Sequence, residues 1–229
     1  MTTFSRARLS AAVCATTILL ASCSDGVETA TSDNATTSAP STSTERTDAA
    51  NSDECSFESN GDNVIEANHN PGEPTFGIPL PEGWERMTML DSELVRLTTA
   101  DQASGPEKGR TAVLTVEPAD IAGTKVFDAN ADMIESTLSP QDFVRHPVTS
   151  VCGLDAQLFD YTTARMGDGG KQTIHQLLLS VPDVNGSNLV AVLTVQSAAS
   201  DADAFAPIAD TIISGLRVED PTSGQTAES

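Results

Sequence analysis

Apolar and polar positions along this chain change period several times, and each change marks an element. Thr75–Leu80 alternates, with Phe76, Ile78 and Leu80 on one face, which predicts a strand. Pro79 and Pro81 cannot donate to a ladder, so this strand is expected at a sheet edge or ending there. Trp84–Met87 continues extended after the Glu82-Gly83 turn. Leu94–Thr98 alternates again, and Thr111–Val116 is a β-branched apolar run. The period then becomes helical: Phe127, Ala131, Ile134 and Leu138 fall on one face of Lys125–Leu138, and Pro140 stops it. Asp142–Val148, Leu158–Ala164, Gln172–Val181 and Leu189–Gln196 read as four further strands. Gly167-Asp168-Gly169-Gly170 and Asn185-Gly186 supply hairpin turns between the last three. Leu177–Val181 and Val190–Val195 are almost continuously apolar, so cover is expected on both faces. A final helix carries Phe205, Ile208 and Ile212 on one face, with Gly215 at its C-terminal cap. Ser200-x-x-Asp203 resembles a capping box, and Pro207 is expected near the main helix's start, after a separate first turn. Val64–Asn68 reads as a short helix. The order predicts an α/β domain: a mostly antiparallel sheet with helices packed on it.

The ends of the chain have a different texture. Arg6 and Arg8 precede a short apolar stretch, Leu9–Ala21, too short to span a bilayer and placed like a signal peptide. It closes on Leu20-Ala21-Ser22-Cys23, which resembles the bacterial lipobox. That resemblance implies diacylglyceryl transfer to Cys23, cleavage after Ser22 and acylation of the new amino terminus, so that palmitate-type chains anchor the protein. The expected organisation is a lipoprotein signal peptide over 1–22, a lipidated disordered tether over 23–54, one globular domain over 55–218 and a disordered tail over 219–229. The tether is rich in Ser, Thr and Ala and has no aromatic, Ile, Leu or Met after Cys23, so it cannot offset its ordering entropy by burial.

Charge narrows the partners. The 229 residues carry 33 acidic and 12 basic side chains, a formal charge of -21. Nucleic acid is excluded as a partner, because phosphate binding needs a basic surface. No apolar run is long enough for a membrane-spanning helix. The expected contacts are the membrane, through the lipid anchor, and an envelope protein or lipid. The chain has four cysteines. Cys14 leaves with the leader and Cys23 is lipidated, so Cys55 and Cys152 remain in an oxidising compartment, where a structural disulfide is expected.

Recognisable catalytic or metal motifs are missing. There is no G-x-S-x-G and no H-E-x-x-H. Gly167–Lys171 lacks the first Gly and the Ser/Thr of a phosphate loop, and Asp183–Ser187 lacks the distal Glu of a calcium loop. Both read as turns. His146 and His175 read as structural or surface residues, and Trp84 as a core anchor. No metal, no cofactor and no catalytic residue is expected. The ligand-binding residues are not legible. An enzyme assembled from scattered residues such as Asp160, His175 and Ser180 stays open as the alternative.

The run Asn68-His69-Asn70-Pro71-Gly72-Glu73-Pro74-Thr75-Phe76, the stretch Pro79-Leu80-Pro81-Glu82-Gly83-Trp84 and the closing Ala204–Val218, with the lipobox and tether, resemble the LpqN/LpqT family of actinobacterial lipoproteins. The resemblance implies a Mog1/PsbP-like α/β/α sandwich and a non-catalytic role in a mycolate-type cell envelope, at the outer face of the cytoplasmic membrane. The Cys55/Cys152 pair sets this sequence apart from the family pattern.

Overall fold

The computed structural model describes residues 55, 57, 63–103, 108–121, 123–164, 170–182 and 187–219. The chain divides into two units, Met1–Glu45 and Arg46–Ser229, and everything described lies in the second. The leader, the lipobox cysteine, the tether, the turns at 165–169 and 183–186, and the tail from residue 220 lie outside the described residues.

Strands β1 (Val64–Glu66), β2 (Thr75–Pro79), β3 (Trp84–Arg86), β4 (Val95–Asp101) and β5 (Thr111–Ala119) come first, with a 3-10 turn at Thr88–Leu90. Helix α1 (Lys125–Leu138) follows, then β6 (Gln141–Arg145), β7 (Thr149–Val151), β8 (Leu154–Ala164), β9 (Lys171–Pro182) and β10 (Asn188–Ala198). A 3-10 turn at Ala199–Asp201 leads into α2 (Ala202–Ser214), and β11 (Arg217–Glu219) closes the domain. The large sheet runs β3-β4-β5-β10-β9-β8-β6, with β7 also beside β8; β1-β2-β11 form a small sheet. Every strand pairing described is antiparallel.

Strand alternation sorts the interior into two cores. Leu177, Leu179 and Val181 of β9 point to one face, with Leu114, Leu193, Trp84 and the α2 residues Phe205, Ala209 and Ile212. Phe76 and Ile78 of the small sheet cap this core. Ile174 and Leu178 point to the other face, where Phe127, Ala131 and Ile134 of α1 meet Phe159, Tyr161, Val190 and Val192. β9 and β10 are thus covered on both sides, as their apolar runs predict. The layers are α1, the large sheet, and α2 with the small sheet, which is the expected α/β class. Trp84 is 4% exposed and stacks on Phe205 with centroids 6.1 Å apart. Burying a side chain of this kind contributes about 1.5–3 kcal/mol.

Several local expectations are corrected. Val64–Asn68 is not a helix. Val64 and Ile65 are β-branched and pair with Pro79 and Ile78, so tertiary pairing decides the segment. β2 is the middle strand of its sheet rather than an edge, but it ends at Pro79, beyond the reach of β11, so no donor is missed. β7 is an additional strand. Leu138 is 38% exposed, because the last turn of α1 runs past the core before Ser139 turns left-handed at φ 45. α2 is continuous from Ala202 with Pro207 inside it. Pro207 is solvent-exposed, so the carbonyl that loses its partner can be hydrated. The capping box does not form. Asp201 stands at the N-cap without a side-chain cap, because Arg110 and Lys108 take its carboxylate at 2.6 and 3.6 Å. The domain ends in a strand rather than at the helix, and Glu219, expected in the tail, belongs to β11.

Gly215 is required for space and not for its backbone angles, since its φ of -88 suits any residue. A Cβ there would stand 2.2 Å from Pro79 Cγ and 2.7 Å from the Thr211 carbonyl oxygen. This close approach lets α2 pass directly over the end of β2. Cys55 and Cys152 form the expected disulfide, with Cα atoms 5.5 Å apart. Cys152 and Gly153 are the left-handed pair, φ 50 and 80, of the tight β7–β8 turn.

Candidate functional site

Arg110 ties Asp101, at the end of β4, to Asp201, at the start of α2, as a structural ion-pair cluster; two further polar clusters among the described residues are candidate sites. The first is on β8 and β9. Asp160 and His175 are direct cross-strand partners. His175 Nδ1 lies 2.7 Å from Asp160 Oδ1, and His146 Nε2 lies 2.7 Å from Asp160 Oδ2. His146 comes in from the end of β6, where its backbone N–H bonds the Leu158 carbonyl. With both rings neutral, each donates a proton to the carboxylate. That leaves His146 Nδ1 and His175 Nε2 as acceptors without a partner among the described residues. Burial works to raise the Asp160 carboxyl, but the hydrogen bonds from His175 and then His146 outweigh it and hold the group below the usual carboxylate range.

Ser180 does not join this cluster. It lies five residues along β9 from His175, on the opposite face and about 17 Å away at ~3.3 Å per residue. No Ser, Thr or Cys among the described residues hydrogen-bonds either imidazole. The two rings approach opposite oxygens of one carboxylate. No group of three His, Cys, Asp or Glu side chains among the described residues converges on a metal position.

The second place is the Asn68–Glu73 turn with the 3-10 segment after β3. Glu73 holds the turn together, accepting from the Asn70 backbone and side-chain amides at 2.9 and 2.8 Å and from Arg96 at 2.9 Å. Arg86, at the end of edge strand β3, donates to the Glu66 carbonyl at 2.9 Å and to Asp91 Oδ2 at 3.0 Å. Asn68 Nδ2 donates to the same Asp91 oxygen at 2.8 Å, while the buried Asp91 Oδ1 has no partner among the described residues. Glu66, Ala67, Asn68, His69 and Arg86 line an open cleft of about 420 Å³. Beside Asp91 in sequence, Met89 is 84% exposed, Leu90 50% and Leu94 52%. Exposed Met and Leu on the segment around Asp91, which itself bonds the cleft residues Asn68 and Arg86, suit contact with an amphipathic surface, because Met adapts its shape and apolar groups near polar ones favour association.

The sequence singled out His146, Asp160 and His175 separately and missed their convergence. Centring the hairpin between Gly167 and Asp168 would have paired Asp160 with His175. Nothing local announces His146, which arrives through tertiary placement of β6. The cleft was missed because its lining comes from Val64–Asn68, read as a short helix, and from the end of the extended Trp84–Met87, which only tertiary placement brings together.

No protein-family model matches the chain, and no curated protein matches it. Among solved structures, the crystal structure of LpqN from Mycobacterium tuberculosis, involved in cell envelope biogenesis, is 20% identical. That similarity covers 70% of this chain and 92% of LpqN, with a TM-score of 0.52. A Pseudomonas aeruginosa protein of unknown function is 14% identical over 66% of this chain and 94% of its own, at a TM-score of 0.36. The antiparallel sheet with a helix on each face is therefore the fold of LpqN.

Proposed function

We propose that this protein is a lipid-anchored lipoprotein of the cell envelope, held at the outer face of the cytoplasmic membrane through Cys23. In this reading its domain binds a partner protein or lipidic ligand without turnover. The observation that carries the reading is the cleft lined by Glu66, Ala67, Asn68, His69 and Arg86, tied through Asp91 to the segment on which Met89 stands 84% exposed. His146 and His175 bond Asp160 and no Ser, Thr or Cys among the described residues, which fits binding better than covalent catalysis. LpqN's involvement in cell envelope biogenesis supports the compartment, and the lipobox-like Leu20–Cys23 supports the anchor.

Two measurements test this. Cys23→Ser is expected to move the protein from the membrane fraction to the soluble exported fraction, and continued detergent partitioning would refute the anchor. A photo-crosslinking residue at Met89 in native cells is expected to capture a discrete partner that Arg86→Ala loses. Turnover in a hydrolase and transferase screen that Asp160→Asn abolishes would establish the enzyme reading instead.

A further inference from the structure

The connection from β3 to β4, residues 87–94, is folded rather than loose. Met87 N–H bonds the Thr98 carbonyl, Leu90 N–H the Met87 carbonyl and Asp91 N–H the Thr88 carbonyl. Ser92 N–H returns to the Val95 carbonyl, and the Ser92 hydroxyl accepts from Val95 N–H at 3.0 Å. Arg86 and Asn68 clamp Asp91 from two directions, at 3.0 and 2.8 Å. A loop held by this many bonds presents a definite surface, and that surface is apolar. No residue of the Thr88–Leu90 turn is buried. Eight large apolar side chains are exposed among the described residues, and three of them, Met89, Leu90 and Leu94, fall on this loop. None of the three belongs to either core.

The charge around the loop is negative. Arg86 and Arg96, the cations beside it, are taken by Asp91 and Glu73. Glu85 and Glu93 are exposed and form no ion pair with another described residue. Glu66, in the adjoining cleft, is 61% exposed, with His69 3.9 Å away. That combination selects among occupants. A second copy of this chain brings like charge against like charge, and so does an anionic lipid surface. The chain's own segments 24–54 and 220–229 hold a single basic residue, Arg46, and are themselves acidic.

We propose that the 87–94 loop is a preformed docking surface for a cationic amphipathic segment of a partner protein, in which Lys or Arg side chains flank Leu-type ones. The inference rests on the partner-binding reading and names the chemistry of that partner. Apolar side chains of the segment cover Met89, Leu90 and Leu94, where the Met thioether adapts to an irregular surface. Its cations meet Glu66, Glu85 and Glu93. The loop is already ordered, so little conformational freedom is lost on its side of the contact. Charge complementarity steers the approach, and the apolar contact holds the complex together.

The test uses the full exported chain and two fluorescent synthetic peptides with identical Leu spacing, one with Lys at every polar position and one with Glu. Anisotropy is expected to show binding of the Lys peptide, weakened by salt, and none of the Glu peptide. Met89→Ser with Leu90→Ser is expected to weaken that binding about tenfold or more, and Glu85→Gln with Glu93→Gln comparably. Glu117→Gln with Glu135→Gln makes an equal change of charge at exposed positions elsewhere, and is expected to change affinity less than about twofold. Failure of the Lys peptide to bind, equal losses from the two Glu pairs, or no loss on removing the apolar side chains would overturn the inference. The photo-crosslink at Met89 separates it from the reading beneath it. A discrete partner captured there through an acidic or uncharged segment would overturn the inference and leave partner binding standing. No captured partner would remove both.

Discussion

Glu73 and Arg96 meet at 2.9 Å, with the Arg96 side chain only 6% exposed and Glu73 15%. Through that pair the Asn68–Glu73 turn is fastened to β4, and the cleft keeps its shape. Glu73→Ala strands a guanidinium in a poorly hydrated place and strips the Asn70 amides of their acceptor. Loss of one partner of a buried pair costs about 3–5 kcal/mol, so a large drop in the denaturation midpoint is expected. Arg96→Met on that background should recover much of it. Equal stability of Glu73→Ala and wild type would show that the pair does not organise the turn.

Gly215→Ala places a methyl against Pro79 and the Thr211 carbonyl at distances real Cβ atoms do not reach. α2 or the end of β2 must shift, at a cost of about 1–3 kcal/mol. Gly153→Ala separates the two uses of glycine: nothing lies within 4 Å of its Cβ, but its φ of 80 carries strain of about 1–2 kcal/mol. Thermal unfolding of both variants measures the two effects. A Gly215→Ala protein as stable as wild type would mean that α2 slides without cost.

Asp160→Asn removes the charge that both imidazoles address. The folded Asp160 carboxyl sits below its ordinary value of 3.8, so its stabilising contribution is complete above that pH and disappears as pH falls through the lowered folded value. The stability gap between wild type and Asp160→Asn is therefore expected to close in strong acid. Urea titrations at stepped pH read the gap. A gap that persists undiminished in strong acid, where Asp160 is protonated, would contradict the hydrogen-bond assignment.

Replacing Cys55 and Cys152 together by Ser opens a loop of sequence separation 97. In the chain-entropy model a loop of that size corresponds to up to ~4.7 kcal/mol, with about 2–4 typical. Non-reducing peptide mapping should recover the linked pair from exported protein, and the double variant should lose stability in this range without losing the fold. Free thiols at both positions in protein from the exported fraction would exclude the bond.

The parts of this fold legible in sequence are those whose period is long and uninterrupted. Lys125–Leu138 matches α1 to the residue, since Phe127, Ala131 and Ile134 keep helical spacing and Pro140 forbids continuation. β9 and β10 were visible as apolar runs. Short pieces were not: β1, β7 and β11 have three residues each, and only their partners make them strands. The disulfide could be inferred by counting cysteines. The Asp160 cluster could not, because it depends on the β8–β9 register and on where β6 lands. The cleft depends on exposure, which one dimension does not record.

The two cores on either side of the sheet each own one chromophore. The chain has a single Trp and a single Tyr; Trp84 lies under α2 and Tyr161 under α1. Burial pushes the Tyr161 phenol up, so its alkaline ionisation marks the loosening of the α1 side, while indole emission follows separation from Phe205 on the α2 side. Coincident transitions would mean that β9 and β10 weld both halves into one cooperative unit. A phenol that ionises while the indole stays buried would mean that α1 peels away first, leaving a stable half-sandwich.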